Sequence, residues 1–217
     1  MTATTEIANA TGPDLRTLLP GPSVLAVLRT RTARTAVEMA APLKAGGITV
    51  LEVTTTVPDA AGVIRELAGD PELLVGAGTV TTTAQLDEVL AAGSRFVVSP
   101  GLDEDVLVAG LAAGVPTVPG VLTPTEVIRA RALGAGTIKL FPADTVGIAH
   151  LRALQSVFPD TGFIPTGGVD ATSIAGWLGA GPVAVGVGSV LEKTYVDHGA
   201  AALEALAAEL VAHLEKH

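Results

Sequence analysis

At 217 residues with 48% hydrophobic content, the chain is long enough to fill one core and short for two. Lys and Arg number 13 against 22 Asp and Glu, a formal net charge of -9, so nucleic acid and anionic membrane surfaces are repelled and neither is expected as a partner. With no cysteine there is no disulfide framework, thiolate metal site or cysteine nucleophile, a composition that suits a reducing cytosol.

Residues 1–12, MTATTEIANATG, lack the basic start and apolar block of a secretory signal and are expected to be a loose N-terminus. Residues 13–217 read as a single domain that opens on a short helix, DLRTLL. Strand-like runs follow: SVLAVLR at 23–29, TVLEVT at 49–54, LLVGAGT at 73–79, RFVVSP at 95–100, PTVPGV at 116–121, TIKLFP at 137–142, GFIPT at 162–166 and VAVGVG at 183–188. Between them lie stretches with apolar residues at helical spacing, such as TARTAVEMAAPLKAG and DEDVLVAGLAAG, many opening on Thr or Asp caps and closing on glycine. A strand-then-helix unit repeated every 20–25 residues or so means a parallel sheet. An open doubly wound sheet shares the alternation, but eight units without a composition break favour an α/β fold closed as a (β/α)8 TIM barrel. AALEALAAELVAHLEKH supplies a C-terminal helix. No run approaches the roughly 18 apolar residues of a membrane span.

In a barrel of this kind chemistry sits at the C-terminal strand ends, and Glu52, Thr54, Thr79, Ser99, Lys139 and Thr166 all fall at or near such ends. Lys139 is the odd residue: it interrupts an apolar, partly β-branched run, where an ammonium is almost never fully buried unless paired or deprotonated. Strand alternation puts Lys139 with Thr137 and Phe141 on one face, and Glu52 with Val50 and Thr54 on one face. If both faces point inward, lysine and glutamate meet. Two readings then stand. The pair is a buried salt bridge of no catalytic consequence, or Lys139 is an amine kept neutral by desolvation that attacks a keto acid, with Glu52 moving protons.

The turns PTGGVDATS at 165–173 and GVGSVL at 186–191 follow the last two strands, where barrels of this type repeatedly bind phosphate through backbone N–H groups. GAGTV at 76–80 lacks the full dinucleotide fingerprint and reads as close packing that presents Thr79. The four histidines, His150, His198, His213 and His217, suggest no metal triad, so neither a metal nor another cofactor is expected. His150 is expected on a helix surface.

With these residues placed, the chain resembles the class I 2-keto-3-deoxy-6-phosphogluconate (KDPG) and 4-hydroxy-2-oxoglutarate (KHG) aldolase family. AGGITVLEVT, VGAGTV, FVVSPG, VPGVLTPTE, IKLFPAD, FIPTGGV and AVGVGSVL occur in family order. The resemblance implies that Lys139 forms an imine, that Glu52 is the general acid/base, and that Thr79 helps hold the pyruvate-derived carboxylate beside Pro100 and Phe141. It implies that Thr166, Gly167, Gly168, Gly188 and Ser189 hold the far anion, and that the chain is a cytoplasmic homotrimer acting without metal on keto acids and aldehydes. Many members carry arginine two residues after LEVT, where this chain has Thr56. In a similar branch an arginine ending the first strand accompanies that threonine, which assigns Arg29 to the carboxylate. Two other hypotheses remain at this point: a phosphosugar isomerase or epimerase using Glu52 as base, and a noncatalytic trimeric assembly module.

Overall fold

The computed structural model describes residues 12–214; the expected loose N-terminus up to residue 11, and residues 215–217 of the segment expected as the C-terminal helix, lie outside them. Among the described residues the strands are β1 (Ser23–Leu28), β2 (Val50–Thr54), β3 (Leu74–Gly78), β4 (Val97–Val98), β5 (Thr117–Val118), β6 (Gly120–Val121), β7 (Thr137–Leu140), β8 (Gly162–Pro165) and β9 (Ala184–Val187). They pair in parallel in the orders β5-β4-β3-β2-β1-β9 and β6-β7-β8. The fold is α/β, with parallel strands curled into a half-barrel.

The single run expected at 116–121 is two strands, divided at Pro119. Proline has no N–H to continue a ladder. Ahead of it β5 pairs with β4, and beyond it β6 pairs with β7; Pro119 keeps its carbonyl in use, accepting from Lys139 N–H at 2.9 Å. Outside the ladders, β8 and β9 are joined by a bridge between Thr166 and Gly186 and by a bond from Val183 N–H to the Phe163 carbonyl.

Helices α1 (Ala33–Ala45), α2 (Ala60–Leu67), α3 (Thr83–Ala91), α4 (Glu104–Ala112) and α5 (Pro124–Ala132) start as the sequence suggests. Thr32, Asp59, Thr82, Asp103 and Thr123 each accept a hydrogen bond from the N–H three residues on, a cap that stabilises a helix by about 1 kcal/mol. Helix α6 (Ala143–Val157) is interrupted at Gly147, where φ is 75°. After α7 (Ile174–Leu178), two helices follow the last strand, α8 (Ser189–His198) and α9 (Ala200–Ala212), divided at Gly199 with φ 81°. His150 on α6 is half-buried rather than riding the surface, because its Nε2 hydrogen-bonds the Leu122 carbonyl at 2.8 Å.

Strand alternation sorts the apolar side chains into two clusters. Leu51, Val53, Ile138 and Leu140 pack in the large cluster shared with the helices, while Leu25, Val50, Leu74, Phe96, Val98, Val118 and Ile164 gather with Leu15 on the other face. Leu15 belongs to the short 3-10 helix Leu15–Thr17, the DLRTLL segment, which plugs this second cluster. Its anchor is Asp14. The Asp14 carboxylate accepts from Thr137 Oγ1 at 2.6 Å at the start of β7 and from Arg16 Nε at 2.9 Å.

Burial pushes the Asp14 carboxyl up, but hydrogen bonds from Arg16 and Thr137 outweigh it and the net shift is downward. A carboxyl with a lowered folded-state pKa contributes stability that is complete above its unfolded value and is lost as pH falls through the folded one. Asp14→Ala is therefore expected to destabilise the fold by about 1–3 kcal/mol at neutral pH, since Thr137 Oγ1 loses its buried acceptor. The gap between variant and parent should narrow in acid, which thermal unfolding across a pH series would measure; a constant gap would remove the ionised carboxylate from the account.

Candidate active site

Of the polar residues singled out by position, Thr79, Lys139 and Thr166 line one cavity, whereas Thr54 bonds Thr56 and Ser99 donates to the Gly101 carbonyl, and neither reaches it. That cavity, of about 410 Å³, opens at the C-terminal strand ends, and its wall includes Arg29 just past β1, Thr79 past β3, Pro100 past β4, and Lys139 and Phe141 at the end of β7. Thr166, Gly167 and Gly168 past β8, with Gly188 and Ser189 past β9, complete the far side. Its volume is within the range of small-molecule sites.

Glu52 stands behind the wall. Its Oε1 is 3.4 Å from Lys139 Nζ, and the two side chains are 0% and 5% exposed. Oε2 is buried with no hydrogen-bond partner among the described residues, leaving one carboxylate oxygen able to accept from a substrate hydroxyl or a water. The Phe141 ring centroid lies 5.3 Å from Nζ, within cation–π reach. The amine thus has one acidic partner and an aromatic face.

Glycines make this arrangement possible. A Cβ on Gly78 would fall 2.0 Å from Glu52 Oε1, one on Gly76 would fall 2.4 Å from the Phe96 ring, and one on Gly186 would fall 2.2 Å from Thr166 Oγ1. The GAG segment therefore serves as close packing, with Gly78 shaped around the glutamate. The next residue, Thr79, has φ 60°. A β-branched residue in this left-handed region carries strain on the order of 1–3 kcal/mol. It is held there by Thr55 Oγ1, which donates to the Thr79 carbonyl at 2.7 Å, and by Arg29, whose Nη2 donates to Thr79 Oγ1 at 2.9 Å.

Arg29 also reaches Thr56 Oγ1 at 3.3 Å. Among the described residues it makes no salt bridge, so its positive charge is directed at the cavity and two hydroxyls orient it. At the other end, the N–H groups of Gly167, Gly168 and Ser189 donate to no carbonyl or side chain among the described residues, and α8 begins at Ser189 without a side-chain cap. Ser189 thus offers a donor at a helix N-terminus, where a negative group is favoured, with the two glycine N–H groups of the loop after β8 beside it in the same wall. Among the described residues no three of His, Asp and Glu are grouped as a metal site, and no helix is long and apolar enough to cross a membrane.

Three wall residues escape sequence reasoning: Val27, Val169 and Glu192. Val27 precedes Arg29 by two positions on β1, so strand alternation gave a usable signal for it. Glu192 lies one helical turn beyond Ser189, and the same kind of periodic argument would have found it.

Residues 16–204 match the family described as KDPG and KHG aldolase. The chain belongs to this family. It is 41% identical over 157 residues, 71% of this chain and 73% of the relative, to the 2-dehydro-3-deoxy-phosphogluconate aldolase of Pseudoalteromonas atlantica. The crystal structure of the 2-keto-3-deoxy-6-phospho-gluconate aldolase of Zymomonas mobilis superposes with a TM-score of 0.83 at 34% identity, covering 92% of this chain and 97% of that one. The KDPG aldolase of Legionella pneumophila, with pyruvate captured at low pH as a covalent carbinolamine, gives a TM-score of 0.77 at 33% identity over 93% and 95% of the two chains. The family resemblance read from the motifs holds, and relatives named as aldolases favour neither an isomerase nor a noncatalytic module.

Proposed function

We propose that this chain is a class I aldolase that reversibly cleaves KDPG to pyruvate and glyceraldehyde 3-phosphate, and KHG to pyruvate and glyoxylate. The observation that carries the reading is the buried Lys139–Glu52 pair, with Nζ in the cavity wall and a carboxylate oxygen 3.4 Å behind it. Neutral Lys139 adds to the substrate's C2 carbonyl, and loss of water from the carbinolamine leaves an iminium. Glu52 takes the proton from the C4 hydroxyl. The C3–C4 bond then breaks, its electron pair moving into the enamine as the aldehyde departs. Glu52 returns the proton to C3, and water releases pyruvate from the lysine.

Arg29 and Thr79 hold the C1 carboxylate, Pro100 and Phe141 flank the keto acid, and the donors of Thr166, Gly167, Gly168, Gly188 and Ser189 hold the anionic tail. Removing a charged donor from a carboxylate costs about 1.5–3 kcal/mol, so Arg29→Ala should raise KM for the keto acid by roughly 10- to 150-fold with a smaller effect on kcat. A fall in kcat at constant KM would take the carboxylate away from Arg29.

The strand pairing and the second apolar cluster around Leu15 also support a complete (β/α)8 barrel forming one domain over residues 13–217. Passage through Pro119 on one side and the β8–β9 contacts on the other would close the ring. We infer further a cytosolic homotrimer. The central test is borohydride reduction of the chain with excess pyruvate, followed by peptide mapping. A reduced adduct on Lys139 is expected; demonstrable pyruvate binding without an adduct would overturn the covalent mechanism.

A further inference from the structure

The cavity is polarised. Its near end has the basic side chains Arg29 and Lys139, whereas the far end, around Gly167, Gly168 and Ser189, has no basic side chain in its wall among the described residues and instead has Glu192. Ser189 and Glu192 are three positions apart on α8, so they share a helix face with Cβ atoms about 5–6 Å apart. Glu192 is half-buried and makes no ion pair among the described residues. A second acid is close by: a Cβ on Gly168 would fall 2.4 Å from Asp144 Oδ2.

A glutamate in the first turn favours the helix dipole wherever on that turn it points. Here it points into the cavity wall, where it does more. A phosphate on the Ser189 N–H would bring a dianion alongside a carboxylate, partly cancelling what the glycine turns and helix terminus contribute. A tail hydroxyl, by contrast, is a donor that a carboxylate accepts through a charge-assisted hydrogen bond.

Resting on the aldolase reading above, we propose that Glu192 is the specificity-determining residue of the far end, which disfavours a phosphate dianion and favours a hydroxylated tail. The substrate class it admits is the unphosphorylated 2-keto-3-deoxy sugar acid, turned over alongside the phosphorylated one. The site then has two selectors: backbone N–H groups that attract any anion, and one carboxylate that lowers the advantage of a doubly charged one.

The test compares the full chain with Glu192→Gln on 2-keto-3-deoxygluconate and its 6-phosphate, at low and high salt. The variant should raise the ratio of kcat/KM for the phosphorylated over the unphosphorylated acid by about tenfold, equivalent to about 1.4 kcal/mol, with a smaller rise at high salt where charges are screened. A ratio within twofold of the parent, or one that falls, overturns the proposal. Misfolded variant lowers both rates alike and leaves the ratio readable. If the parent cleaves neither acid and traps no pyruvate on Lys139, the aldolase reading itself has failed and this one falls with it.

Discussion

Lys139→Arg is expected to lower aldol cleavage by about four or more orders of magnitude, in line with removal of a covalent nucleophile. Arginine keeps a positive charge beside Glu52, so the buried carboxylate retains a partner; a Lys139→Met exchange would strand it and cost about 3–5 kcal/mol of stability. The guanidinium remains protonated at any pH at which the protein works, and it has no lone pair to add to a carbonyl. A salt bridge with no catalytic role would tolerate this exchange, whereas an imine-forming amine would not. The readouts are cleavage of KDPG, borohydride trapping with pyruvate, and the unfolding temperature. A folded variant that still cleaves substrate would return Lys139 to a purely electrostatic role.

The β/α order and the strand faces were legible because alternation is a local property: Val50, Glu52 and Thr54 must share one side of β2 whatever the rest of the chain does. That is why Lys139 and Glu52 could be paired from sequence although 87 positions separate them. What was not legible depends on neighbours distant in sequence. The division of the fifth run at Pro119 arises because its halves pair with β4 and β7, a matter of sheet partners rather than propensity. His150 looked like a surface residue until Leu122 was brought against it. Gly78 read as close packing from sequence, but what it packs against, the Glu52 side chain from the adjacent strand, was not legible.

Arg29 illustrates the intermediate case. Its place at the end of β1 was readable, but its orientation depends on Thr56 and on Thr79, whose backbone is in the left-handed region. Strain on a threonine leaves no mark in a single sequence. Such strain is tolerated where surrounding bonds over-determine the conformation, and here those bonds run between the first three strands, so that the position of the guanidinium is set by the sheet rather than by β1 alone.

Glu52→Gln separates proton transfer from imine formation. The side chains are nearly isosteric, as the site requires, because the close approach of Gly78 leaves no slack on that side of the carboxylate. The amide oxygen can still accept from Lys139, but the group can neither take the C4 hydroxyl proton nor return one to the enamine. Cleavage should fall by about 10²- to 10⁴-fold, the usual contribution of a positioned acid/base. Pyruvate should still be trapped on Lys139 by borohydride, more slowly, since carbonyl addition needs only the free amine. The most direct readout is exchange of the pyruvate methyl protons in heavy water, which reports enamine formation without any aldehyde. Loss of exchange with retained trapping would place the proton on Glu52. Normal exchange in the variant would assign it to another group, and loss of both signals would make Glu52 a residue that orients Lys139 rather than one that moves protons.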